Sequence, residues 1–465
     1  MLLLIPVGLL LLGGIAVGIL RRLKIPIGYA WLVAAGVALL TWLFLLFAPL
    51  NWFHVFGTTN WIPIGNDPVS ISFQLDAPAW PYAAALGAVL FAVIVLSVSR
   101  KDAEIAGVTW GGVLGLGSLG IFAITAASPL ALVLAWTAID FFELLVMVSM
   151  VEDRRLDTQA VLTFTFRVVG TLFVLLGMML NSAGGTVLTF ENILPNAGIC
   201  LFIAVGLRLG VLPLHLVFTQ TAPARRGLGT MMRFISPASS LVLISRLPVQ
   251  VISGSWYDLV LLILALGGFY GAVMWATARD ELSGRPFWLI TTGTIALTCA
   301  INHNPSVSQV WGVTMLLAGV VLFLSYSGKR WLMVFPLLAA ISITGLPFTL
   351  ASTGWVGLIP QPIQTRSVIF IFILGLLVFG YVRFSLSPKP EFSVLERMDQ
   401  VVYPFGLAAP VLTIWIIFFN RLPGSISFEY WWVSLIAFSL AGLVFFITIR
   451  FEKNRQARPS MGWIT

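Results

Sequence analysis

The stretch GLRLGVLPLHL, residues 206–216, decides how the chain is read. It carries Arg208, Pro213 and His215 in a run otherwise made of Gly, Leu and Val. Upstream it continues as an apolar segment of about 20 residues, the length a helix needs to cross a bilayer. An ionisable side chain at that depth costs about 2.5–3.5 kcal/mol on insertion scales, so it is kept with a partner or a role. Proline there removes an N–H and frees a carbonyl, which only protein or water can satisfy. The same interruption recurs in TGLPFTL, residues 344–350, at Pro347. Paired broken helices in two halves of a chain point to an internally repeated transporter, and two unrelated kinks are the plainer reading.

The whole chain agrees with a membrane setting. Its 465 residues are 59% hydrophobic and only 9% charged. A soluble protein carries roughly 25% charged residues, so a soluble enzyme, a disordered chain and a nucleic-acid module are excluded. Cys200 and Cys299 form no paired motif, which argues against a thiolate metal or cluster site. No Gly-rich nucleotide loop or flavin signature is found, so no cofactor is expected. The 17 tryptophans fit interfacial belts at the two membrane faces.

About 14–15 apolar runs have the length of transmembrane helices, giving an all-α polytopic membrane protein. Two of the runs, 233–249 and 287–302, are short. Residues 61–76, WIPIGNDPVSISFQLD, alternate loosely and predict a small hairpin on the outer face. Basic residues follow every odd-numbered run: Arg21, Arg22 and Lys24, then Arg100 and Lys101, Arg154 and Arg155, Arg225 and Arg226. Next come Arg279 and Arg285, Lys329 and Arg330, Arg383 with Lys389 and Arg397, and a tail with Arg450, Lys453, Arg455 and Arg458. The other face holds Arg246, Arg366 and Arg421. Because Lys and Arg concentrate in cytoplasmic loops, this places the N-terminus outside, with an uncleaved first helix, and the C-terminus in the cytoplasm. The net charge of +8 is then a topology signal that implies no nucleic acid. The expected setting is a multi-pass position in the cell membrane.

The charges inside the spans are Asp140 and Glu143, Arg167, and Arg208 with His215; Arg233 opens the next run. Asp140 and Glu143 stand three apart and share a helix face. One reading is a buried ion-pair cluster that fixes helix packing. The other is a proton or ion relay, in which Asp, Glu and His exchange protons. Arg does not exchange them, since its pKa exceeds about 12.

These residues carry a resemblance. The chain resembles the antiporter-like, proton-channel subunits of respiratory complex I, whose relatives occur in multisubunit cation/proton antiporters, membrane-bound hydrogenases and an inorganic-carbon uptake system. The best match is residues 206–224, with Leu212-Pro213-Leu214-His215 fitting the family's Pro-Leu-His. Residues 166–170, the entry to the third span with Asp76, residues 271–297 and residues 341–352 match further segments in the right order. The resemblance implies two inverted five-helix repeats, with broken helices near Pro213 and Pro347. It divides the chain into N-terminal helices and hairpin (1–105), a first repeat (106–250), a second repeat (251–385), and C-terminal helices with a tail (386–465). It also implies partners: the lipid bilayer and other membrane subunits of a larger complex, with any redox chemistry belonging to those partners.

The departures shape the expected function. The family's channel lysine falls at Arg208, its glutamate at Thr137, and its exit lysine near Trp355. From residue 256 to 449 the apolar runs hold no Asp, Glu, Lys or Arg in their interiors; Asp258 and Arg383 stand at run ends. The resemblance therefore implies a subunit like those that translocate protons in a quinone-oxidoreductase-like complex, but with a degraded channel. A non-conducting scaffold and a partner in an inorganic-carbon or cation/proton antiporter complex are the alternatives. The chain is not expected to be an enzyme by itself.

Overall fold

The computed structural model describes residues 3–47, 56–64, 67–97, 103–150, 154–212, 214, 226–247, 257–325, 330–359, 365–387, 397–421 and 431–456. Within them every expected apolar run is a helix. The first two are α1 (Leu4–Arg22) and α2 (Ile27–Phe47), followed by strands β1 (Phe56–Ile64) and β2 (Asp67–Phe73). The strands pair antiparallel, from Phe56 opposite Phe73 to Ile64 opposite Asp67, so the expected hairpin forms. Then come α3 (Ala79–Leu96), α4 (Ala103–Ile124), α5 (Pro129–Met150), α6 (Arg154–Ala183), α7 (Pro195–Leu209) and α8 (Gly227–Arg246). The rest are α9 (Tyr257–Thr277), α10 (Glu281–Ile301), α11 (Pro305–Leu324), α12 (Val334–Ile343), α13 (Thr365–Leu386), α14 (Arg397–Arg421) and α15 (Trp431–Gln456). Ten helices of the described residues are long and apolar enough to cross a membrane, and four shorter apolar ones accompany them. The chain is a polytopic all-α membrane protein.

Its centre is built on α3, α8 and α11. Every residue of α3 is buried. A helix that is apolar all round has no face for water and goes to the middle of a bundle. It packs against α2, α8, α11 and α14, and α8 and α11 pack on one another. The outer helices leave Leu12, Ile15, Leu176, Met179 and Phe446 exposed, as a lipid-facing rim requires.

Both breaks have a local cause. Helix α7 stops at Leu209 because Gly210 adopts φ +73°, a left-handed conformation that costs glycine little. The Val211 N–H then bonds back to the Gly206 carbonyl at 2.9 Å. Pro213 and His215 lie outside the described residues. Helix α12 stops at Ile343, and Gly345 and Phe348 on either side of Pro347 have φ of +70° and +66°. A 3-10 turn over Leu350–Trp355 resumes the path, so this helix is broken where proline predicted it.

Two expectations change. Helix α10 begins at Glu281, six residues before the apolar run, because Asp280 and Ser283 close a reciprocal capping box. That draws Glu281 and Arg285, taken as loop residues, into the helix, where they are 7% and 1% exposed. The second half is therefore not empty of charge. The tryptophans also do more than mark the interfaces. Trp136, Trp275, Trp288, Trp311 and Trp355 are fully buried. An indole N–H inside a bundle needs an acceptor, and each finds one on another element. Trp275 bonds the Leu377 carbonyl at 3.1 Å, Trp288 that of Met315 at 3.1 Å, and Trp311 that of Gly354 at 3.1 Å.

Candidate functional site

Asp140 lies at the middle of α5, Arg167 near the middle of α6, and Arg208 in the last turn of the half-helix α7. Asp140 and Glu143 face the same way because they are three residues apart on one helix. All four side chains are buried: Asp140 2%, Glu143 4%, Arg167 2% and Arg208 0% exposed.

The charges pair off. Arg208 grips Asp140 through both nitrogens, Nη1 to Oδ2 at 2.7 Å and Nη2 to Oδ1 at 2.8 Å. Such forked pairs are among the stronger and more directional charge-assisted contacts. Arg208 Nη1 also donates to the Arg167 carbonyl and to Thr171 Oγ1, each at 3.3 Å. Arg167 Nη1 bonds Glu143 Oε2 and stands 3.9 Å from Asp140 Oδ1. Two carboxylates and two guanidinium groups sum to zero, which makes the set tolerable at membrane depth. Arg208 further benefits from the C-terminal end of α7, where unpaired carbonyls favour a cation.

A platform holds this arrangement. The Arg208 guanidinium lies 4.2 Å over the Trp136 ring. Trp136 in turn donates from Nε1 to Ser239 Oγ on α8 at 2.8 Å. Close approach of α6 and α7 is permitted by Gly170, where a Cβ would stand 3.0 Å from Arg208 Cγ and 3.2 Å from the Ala204 carbonyl. The sequence singled out neither Thr171 nor Trp136 for this role. Their signal was spacing: Trp136 is one turn before Asp140, and Thr171 one turn after Arg167.

Arg233 is buried on α8, and its Nη1 donates to the Gly229 carbonyl at 3.0 Å. A second polar group stands at the start of α8 and α10. There Arg226 pairs with Glu281 at 2.6 Å, and Arg285 donates to Thr230 Oγ1 at 2.6 Å. On the other face, Asp76 caps α3 through the Ala79 N–H and holds Arg246 at 2.9 and 3.1 Å.

The corresponding part of the second half is built from hydroxyls. Thr291, Thr292, Thr294 and Thr298 on α10 are buried, and each donates to a carbonyl of its own helix. At the α12 break, Trp355 Nε1 donates to Ser434 Oγ at 2.7 Å, and Ser434 donates to the Gly345 carbonyl at 2.6 Å. No group of three or more potential metal-ligating side chains occurs among the described residues.

No family model matches the sequence, and no curated protein is similar to it in sequence. Solved structures are similar to it in fold. One chain in the Mrp complex from Dietzia sp. DQ12-45-1b matches with a TM-score of 0.74 at 14% identity, over 99% of this chain and 58% of that one. This chain thus spans little more than half of that relative's length. A chain of the membrane-bound sulfane sulfur reductase, an archaeal respiratory membrane complex, matches with a TM-score of 0.70 at 13% identity, over 91% of this chain and 76% of that one. A chain of respiratory complex I from Thermus thermophilus matches with a TM-score of 0.68 at 14% identity, over 90% of this chain and 99% of that one. The chain has the fold of the antiporter-like membrane subunits of such multisubunit complexes, as its ordered sequence motifs implied.

Proposed function

We propose that this chain is an antiporter-like membrane subunit of a larger respiratory or antiporter complex, in which the buried charges act as a fixed electrostatic lock. In this reading it sits in the cell membrane with its C-terminus in the cytoplasm, and its two repeats cover 106–250 and 251–385. The forked Arg208–Asp140 pair is the observation that carries it. A relay needs groups that lose and regain protons, and arginine does not at working pH. Arg208 holds Asp140 at both oxygens, which leaves neither free to pass a proton on. The back-bonded hydroxyls of α10 and the Trp355–Ser434–Gly345 chain support the same reading for the second half. They bind no proton at neutral pH. Any proton path is then confined to the first repeat or absent, and the subunit's contribution is to hold neighbouring membrane subunits in place.

The test is proton flux into liposomes containing the purified chain under an imposed pH gradient. Flux equal to that of protein-free vesicles is expected, and Arg208→Lys is expected to leave it unchanged. Flux that disappears in Asp140→Asn or Glu143→Gln would show that the subunit conducts and that the lock reading is wrong.

A further inference from the structure

At the end of the bundle that carries the hairpin, a cavity of about 460 Å³ lies between β2, the start of α5, the end of α6 and the loop to α7. Sites for small ligands have about 300–1,000 Å³. Ser70, Ser128, Thr186, Thr189 and Asn192 line it beside the apolar Leu130 and Met178, and none of the described residues in its walls is charged. The loop wall is set in advance by Asn181, which is fully buried. Its Nδ2 donates to the Thr186 carbonyl at 3.1 Å and to Thr186 Oγ1 at 3.0 Å, and its Oδ1 accepts from the Leu194 N–H at 2.8 Å. A wall ordered beforehand costs little further ordering when a ligand binds.

Three of the hydroxyls share a bias. Ser128 Oγ accepts from the Ser72 and Ala131 N–H groups at 3.2 and 3.3 Å. Thr186 Oγ1 accepts from Asn181, and Thr189 Oγ1 from the Asn192 N–H at 3.1 Å. Each hydroxyl also carries one donor hydrogen, and none of the three donates to another described residue. The cavity therefore offers O–H donors without charge, which suits ligand oxygens that accept and do not donate. Its position narrows the choice. On α6, Leu176, Met179 and Leu180 beside Met178 are exposed as a lipid-facing surface, and the cavity sits where that surface ends. At the ends of the spans a bilayer gives way to its interfacial region. There it presents ester carbonyls, acceptors joined to apolar chains.

We propose that this cavity is a lipid site that takes the glycerol-ester region of one membrane lipid. The ester carbonyls accept from Ser128, Thr186 and Thr189, and an acyl chain leaves past Met178 along α6. The walls do not select an anionic headgroup: Arg246, which stands over Phe190 of the same loop, is already taken by Asp76. The site goes beyond the lock reading and stands whatever the liposome flux gives.

The test is native mass spectrometry of the full chain released from detergent micelles, with a diacyl phosphatidylcholine and its dialkyl ether analogue offered in equal amounts. One retained lipid per chain is expected, with the ester form favoured several-fold. The preference should vanish in the double variant Thr186→Val with Thr189→Val. It should persist in Thr165→Val, which removes an exposed hydroxyl elsewhere on α6. Equal retention of the two lipids would overturn the proposal, as would a preference that survives in the double variant. Displacement of the lipid by free glycerol would assign the cavity to a small neutral solute instead. Because Thr186 also braces Asn181, Met178→Trp serves as a further variant, narrowing the cavity with every hydroxyl in place. It is expected to lower retention several-fold, and unchanged retention would show that the lipid binds elsewhere.

Discussion

The first half of the bundle places four full charges at membrane depth; the matching part of the second half places hydroxyls and indoles there. Both regions contain a broken helix, and both pair polar groups, but by different means. Around α5, α6 and α7 the partners sit on different helices, so each ion pair ties two elements together. Along α10 each threonine bonds its own helix, so it contributes nothing between elements. The links in that half come instead from tryptophan N–H groups reaching carbonyls and a serine across the bundle. A charge pair is costly to break from one side only, whereas an indole bond loses about one hydrogen bond's worth. The halves should therefore respond very differently to substitution.

The largest effect is expected for Arg208→Ala. It leaves Asp140 charged and buried, at a cost of about 3–5 kcal/mol. The double variant Arg208→Ala with Asp140→Asn should recover much of that loss in denaturant unfolding of the purified chain. Equal losses in the single and double variants would mean that the pair is not coupled. Next is Trp355→Lys, which puts an unpaired charge in the uncharged interior by the α12 break, at about 2.5–3.5 kcal/mol. Trp355→Phe, which only deletes the bond to Ser434, should cost about 1 kcal/mol. Similar melting temperatures for the two would show that water reaches this part of the second half. Trp136→Phe loses the bond to Ser239 and weakens the platform under Arg208, together about 1–2 kcal/mol. The smallest effect belongs to Thr298→Val, about 0.5 kcal/mol, with no change in liposome flux. A flux change there would mean that the hydroxyls of α10 order a working water path.

The helices were legible in the sequence because length and hydropathy are local properties. Helix starts were less so: α8 begins at Gly227 and α10 at Glu281, each six residues before its apolar run, and α10 shows why. Its first turn, Glu281 to Arg285, is polar, and only the Asp280–Ser283 pair marks the true start. The members of the cluster were legible as well, since any charge in an apolar run stands out. Their pairing was not. Whether Arg208 or Arg167 takes Asp140 depends on the rotation of α6 and α7 about their axes, which no spacing within one helix encodes. The burial of Trp275, Trp288 and Trp311 was missed for a similar reason. An indole suits an interface or a packed bundle equally well in composition, and the acceptor that decides between them lies far away in the chain. His215 and Pro213 fall outside the described residues, so their expected parts in the first half rest on sequence.

The clasp between Asp76 and Arg246 bears on how the chain is assembled. Its partners are 170 residues apart and join the start of α3 to the end of α8, with Arg246 also reaching the Ala126 and Ile124 carbonyls between α4 and α5. None of these contacts forms until α8 has been threaded through the bilayer. Until then, Asp76 caps only its own helix, and the clasp that joins α3 to α8 is absent. Insertion order thus builds in a checkpoint: the first block becomes a unit only when its last helix arrives, and a chain truncated before Arg246 should be cleared by membrane quality control far faster than one ending just after it.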